Sequence, residues 1–143
     1  MNKYRHPRRQ AREAVFQAMY AREISGDDDK KILRDIIFRY SFNKETVEFV
    51  SDLYTNTVKQ TEWIKNTISR HLKNWQIHRI ALLDRLILQM AVGELYFMDD
   101  VPHKVSISEA IEIARYYSTE ESSGFVNGIL DAVYKEIKKN SKQ

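Results

Sequence analysis

Apolar residues recur at intervals of three and four along almost the whole chain, and that period admits little besides packed helices. Ala11, Ala14, Val15 and Ala18 mark one face of a first helix, with Arg22 a turn further on, and Pro7 sits where a first helical turn tolerates a missing N–H. A second stripe of Arg9, Arg12, Phe16 and Tyr20 gives this helix another side, aromatic with a basic head. Ser25, Gly26 and Asp27 end it, and Asp27, Asp28 and Asp29 open a short helix through Ile32, Ile36, Ile37 and Tyr40. Asn43 is placed to cap a long third helix carrying Val47, Val50, Leu53, Tyr54, Val58, Thr61, Ile64 and Ile68. Residues 71–79 read as irregular, with Trp75 expected as a packed plug. The fourth helix, with Ile80, Leu83, Leu86, Ile87, Met90, Ala91 and Leu95, is apolar enough for the centre of a bundle, and Val101 and Pro102 stop the chain after it. Ser106 with Glu109, and Ser118 with Glu121, have capping-box spacing for two further helices. The last buries Val126, Ile129, Leu130, Val133 and Ile137. Four glycines, two prolines and no repeat or linker in 143 residues predict one all-α domain, residues 1–143.

Charge is distributed unevenly. Lys3, Arg5, Arg8, Arg9 and Arg12 precede any acid, and a Lys-rich tail occupies 135–143, while the stretch between is mildly acidic. A cationic first turn opposes the helix dipole, where Asp or Glu would be favoured. Two readings account for it: a polyanion held by the basic start, nucleic acid above all, or a solvated basic terminus. If the two ends meet in space they form one local patch; chain termini often do.

Several chemistries find no support. There is no Gly-rich phosphate loop, since Gly128 stands alone, and no nucleophile elbow. His71 and His78 lack zinc-pair spacing, and the aspartates at 27–29 lack the alternation of a calcium loop. No metal, cofactor or catalytic residue is expected. No apolar run approaches the ~20 residues of a membrane span, and no signal-peptide core follows the N-terminal cations. With no cysteine present, a cytoplasmic location fits.

Two stretches carry a resemblance. One is the run from Arg8 to Tyr20. The other extends from Asp84 to Asp131 and holds Asp84-Arg85-Leu86-Ile87-Leu88, Glu94-Leu95, Val101-Pro102-His103-Lys104-Val105 and Phe125-Val126-Asn127-Gly128-Ile129-Leu130-Asp131. Together they resemble the NusB family of bacterial transcription antitermination factors, over nearly the whole chain. The Phe-Val-Asn-Gly-x-Leu-Asp segment after Val-Pro-x-x-Val is the more specific part. The resemblance implies two packed helical bundles, about six to seven helices in all. It implies binding of boxA RNA, a single-stranded element of nascent ribosomal RNA, with the ribosomal protein NusE. The pair would join NusA and NusG on RNA polymerase, suppressing premature termination and assisting ribosomal RNA biogenesis.

Carried over residue by residue, the resemblance assigns Arg8, Arg9 and Arg12 to the arginine-rich start, with Gln10 replacing a frequent arginine. Tyr117, Glu121, Ser122 and Phe125 fall at an RNA-facing edge, and Asp84 where an acid faces NusE. Ser108, Gln89 and Gly93 depart from the family's usual Asn, Arg and Tyr, and bear on any homodimer contact at the central helix. Physically, Arg8, Arg9 and Arg12 can hold phosphates, with Lys3 and Arg5 on a basic arm over 1–7. Tyr117 and Phe125 can stack bases or pack in the core. Glu121 can accept from a base amino group or cap its helix. Tyr20 is read as a partner contact, with Phe16 behind it, or as packing between the bundles. Other function classes remain open at this point: a helical protein-interaction module without specific RNA recognition, or an accessory subunit of an enzyme.

Overall fold

The computed structural model describes residues 7–73 and 76–141. The expectations for Lys3, Arg5 and Trp75 therefore lie outside the described residues. Among these, seven α-helices and one short 3-10 helix form, and no strand. They are α1 (Pro7–Ser25), α2 (Asp29–Arg39), α3 (Lys44–Lys59), α4 (Thr61–Ser69), the 3-10 turn Ile77–Arg79, α5 (Leu82–Phe97), α6 (His103–Tyr117) and α7 (Glu120–Ser141).

The central helix is α5. Its residues from Leu86 to Leu95 are buried on every side. One group, α1, α2 and α3, packs on one flank, and α6 and α7 on the other, with α4 bridging α5 and α7. The two bundles therefore share α5 and a continuous core, in which Leu53, Tyr54, Ile64, Ile87, Leu88, Met90 and Leu130 are fully enclosed. α1 is nearly as buried, from Ala11 through Phe16. Gly26, at φ +70°, turns the chain out of α1 in the left-handed conformation that a side chain would strain, and its N–H closes on Arg22 O. Gly93 serves packing instead. A Cβ there would overlap the Thr57 hydroxyl and lie 3.2 Å from Thr57 Cβ, so its bare backbone sets how closely α3 and α5 approach.

Three boundaries differ from the sequence reading. The long third helix breaks at Gln60 (φ −105°, ψ 23°). The Thr61 hydroxyl donates to the carbonyls of Thr57 and Val58, satisfying acceptors the break leaves open, and α4 turns onto α5. α6 starts immediately behind Pro102, so Ser106 lies a turn inside and caps nothing. It is buried and donates to Glu94 at 2.7 Å. At α7 the cap is Thr119, one residue later than expected. Its hydroxyl accepts from the Ser122 N–H at 3.0 Å. Asn43 does cap α3, accepting from Thr46 N–H at 2.8 Å.

Candidate nucleic-acid interface

The first turn of α1 carries no acid, yet Arg9 and Arg12 face carboxylates brought from elsewhere. Arg12 forks onto Glu94 of α5, with Nε 2.9 Å from Oε1 and Nη2 2.6 Å from Oε2; both side chains are at least 97% buried. Ser106 completes the shell of Glu94, and Arg12 also lies 3.7 Å from Glu109. Arg9 forks onto Glu109 of α6 at 3.0 and 2.5 Å while staying partly exposed, and that hydrogen bond raises its pKa further. Arg8 lays its guanidinium over Phe49 at 4.1 Å. Of the three arginines expected at phosphate, Arg12 is enclosed by Glu94, because a buried guanidinium requires a paired counter-charge. Arg8 and Arg9 remain at the surface. All three line a cavity of about 420 Å³ with Asp100, Val101, Pro102, Val105 and Glu109.

The other expected contacts gather at the far end of α6. Tyr117 is half-buried, its ring 5.1 Å from Phe16, and its hydroxyl accepts from Gln17, which in turn accepts from Tyr40. Burial raises its pKa. Phe125 packs against the core edge and Glu121 is exposed. Ser122 donates to Asp84 at 3.1 Å and accepts from Ser118 and Thr119. Asp84 is buried, with Oδ1 unpartnered among the described residues. It therefore ties α5 to α7 from a buried position. Tyr20 is 43% exposed, beside Ile24 in the groove between α1 and α2. Gln89 and Gly93 are buried, and the Gln89 side chain accepts from Arg85 at 2.8 Å. The sequence reading passed over Tyr116, which is 68% exposed and edge-on to Tyr117 at 4.9 Å. Its place just off the apolar stripe of α6 was the available signal.

These clusters are joined by a seam. Arg9 meets Glu109 and Gln17 meets Tyr117, so α1 and α6 run side by side in the same direction. Eight residues of helix separate the basic end from the aromatic edge by about 12 Å. Beside it, Pro102 lines the arginine cavity, the adjacent His103 ring meets Tyr134 of α7, and Lys138 sits over Tyr134 at 5.4 Å.

No cluster of His, Cys, Asp or Glu suited to a metal ion occurs among the described residues, and none of their helices is long and apolar enough to cross a membrane. Fold and surface together define a helical binding domain with a cationic end and an aromatic edge. Comparison with known proteins makes the class specific. The NusB family model matches residues 9–135. The chain is 40% identical over 132 residues to the transcription antitermination protein NusB of Chloroherpeton thalassium, covering 92% of this chain and 63% of that longer protein. It is 42% identical to that of Salinibacter ruber, covering 91% of this chain and 82% of the relative. The structure superposes on T. maritima NusB with a TM-score of 0.85 at 39% identity, covering 92% and 93% of the two chains. It also superposes on a chain from a crystal structure of antitermination factors NusB and NusE in complex with dsRNA, with a TM-score of 0.84 at 26% identity, covering 91% and 97%. The chain belongs to the NusB family.

Proposed function

We propose that this protein is a cytoplasmic transcription antitermination factor that binds boxA-type single-stranded RNA of nascent ribosomal RNA together with a NusE-type ribosomal protein. The pair suppresses premature termination on RNA polymerase, alongside NusA and NusG, and assists ribosomal RNA biogenesis. The observation that carries this reading is the family match across 9–135, reinforced by the fold shared with a chain from a NusB–NusE–dsRNA complex. In this reading Arg8 and Arg9, with Lys3 and Arg5 of the arm, hold phosphates. Tyr117 and Phe125 border the path of the bases, Glu121 and Ser122 offer polar contacts, and Tyr20 and Asp84 face the protein partner. Arg12 positions Arg9 through their shared acid, Glu109, rather than meeting RNA itself. A homodimer is a second assembly state of the proposal, read by sedimentation with and without the partner.

The test is binding of a boxA strand, a scrambled strand and a duplex across a salt series, with and without the partner. The boxA strand wins by about tenfold or more once the partner is present. Arg8→Ala with Arg9→Ala weakens binding and flattens the log–log salt slope by about 1.4, at about 0.7 per phosphate contact. Equal binding of all three nucleic acids, unmoved by the partner, would leave a protein-interaction module with an incidental basic end.

A further inference from the structure

α2 carries the most exposed large apolar side chain among those described. Phe38 is 89% solvent-accessible and points away from the buried Ile32 and Ile36 of the same helix. Burying such a ring is worth roughly 1.5–3 kcal/mol, so leaving it in water needs a reason. Four and eight residues before it stand Arg34 and Lys30, on the same outer stripe and both exposed. Arg39 follows immediately.

The acids of this segment are engaged elsewhere. Asp28 accepts from the Lys30 N–H as the helix cap. Asp29 accepts from Arg22 and from the buried Tyr54 hydroxyl. Asp27 and Asp35 both hold Lys31. No carboxylate of a described residue lies within ion-pair distance of Lys30, Arg34 or Arg39, although Asp35, held by Lys31, also feels the charges of Arg34 and Arg39; the stripe reads cation, cation, aromatic, each one turn from the next. It is about 12 Å long. Its aromatic end lies near the seam, because Tyr40, two residues after Phe38, donates to Gln17, the partner of Tyr117.

We propose that the outer face of α2 is an accessory contact for single-stranded RNA, with Phe38 stacking one base and Lys30 and Arg34 holding the adjoining phosphates. It lies outside the α1, α6 and α7 contacts above and rests on the RNA reading. A single ring among cations suits a nucleotide strand, where each base needs one aromatic platform. A protein partner would need a cluster of apolar anchors around that ring, and the stripe offers cations instead.

The experiment compares a short boxA strand with the same strand extended by about six uridines at each end, within the range one such surface covers. The extended strand binds the full-length chain about tenfold tighter than the short one, the scale of one stacked base with its phosphates. Phe38→Ala abolishes that gain and leaves short-strand affinity unchanged, and Phe38→Trp restores it. Lys30→Gln with Arg34→Gln also abolishes the gain and flattens the salt slope for the extended strand by about 1.4. Thermal midpoints hold in each variant, since all three side chains are exposed. Equal affinity for the two strands, or a gain that survives these substitutions, overturns the proposal. If the wild-type chain binds neither strand even with the NusE-type partner, the antitermination reading itself has failed and the accessory contact falls with it.

Discussion

Arg8 and Arg12 stand one helical turn apart and have opposite fates. Arg12 is 3% exposed against a 2% exposed Glu94, so its removal leaves a buried, uncompensated carboxylate. We expect Arg12→Ala to cost roughly 3–5 kcal/mol in urea unfolding, and replacement of both partners by apolar residues of similar volume to recover most of it. Arg8→Ala, which gives up a stacking contact on Phe49, should cost far less stability. Gly93 gives the second test at this scale. On helix propensity, Gly93→Ala would gain roughly 1 kcal/mol. The overlap with Thr57 reverses that sign, and the variant should lose roughly 1–3 kcal/mol by overpacking. Thr57→Ala in the same chain should restore stability, because it vacates the atoms that the new methyl meets and removes a buried hydroxyl with no partner among the described residues. Glycine at this position could be seen in the sequence, but the reason for it could not, since Thr57 lies 36 residues away on α3.

At the scale of elements, α4 and α7 are joined at their C-terminal ends by one carboxylate. Glu136 accepts from Arg70 at 2.9 Å and from the Tyr96 hydroxyl of α5 at 3.0 Å, with His71 Nε2 3.3 Å away. The Arg70 hydrogen bond, followed by that from Tyr96, holds Glu136 below its ordinary value of 4.5. Burial, then the bond to Glu136, pushes Tyr96 up to about 12. A lowered carboxylate contributes stability above its unfolded pKa and loses it as pH falls through the folded one. A raised phenol contributes below its unfolded pKa of 10.0 and loses its share as pH climbs toward the folded value. The join therefore weakens at both extremes. Stability measured by urea unfolding should fall more steeply from about pH 6 to 3 in the wild type than in Glu136→Gln; parallel acid limbs would remove Glu136 from the account. Elements also show where local signals stop. Period 3.6 placed the helices and Asn43 marked the start of α3, but neither Gln60 nor Thr61 is a helix breaker by propensity. The break there follows from α4 turning onto α5.

Across the whole molecule, α5 is the axis on which both helix groups close, and its near-continuous apolar sequence foretold that position. The family resemblance was also legible, because the Val101-Pro102 turn and the Phe125–Asp131 segment are short local patterns; the comparisons bear it out across 9–135. Of the interface, the sequence offered the residues without their neighbours. It could not separate Arg12 from Arg8 and Arg9, or place Asp84 beneath Ser122. Helical class, element order and the cationic ends were determined by the sequence alone, since periodicity and charge are properties of residues a few positions apart. The role of each cation was decided only by the tertiary structure. The carboxylates that answer the dipole-opposing start of α1 come from α5 and α6, 82 to 100 residues away, and only folding brings them within hydrogen-bonding distance.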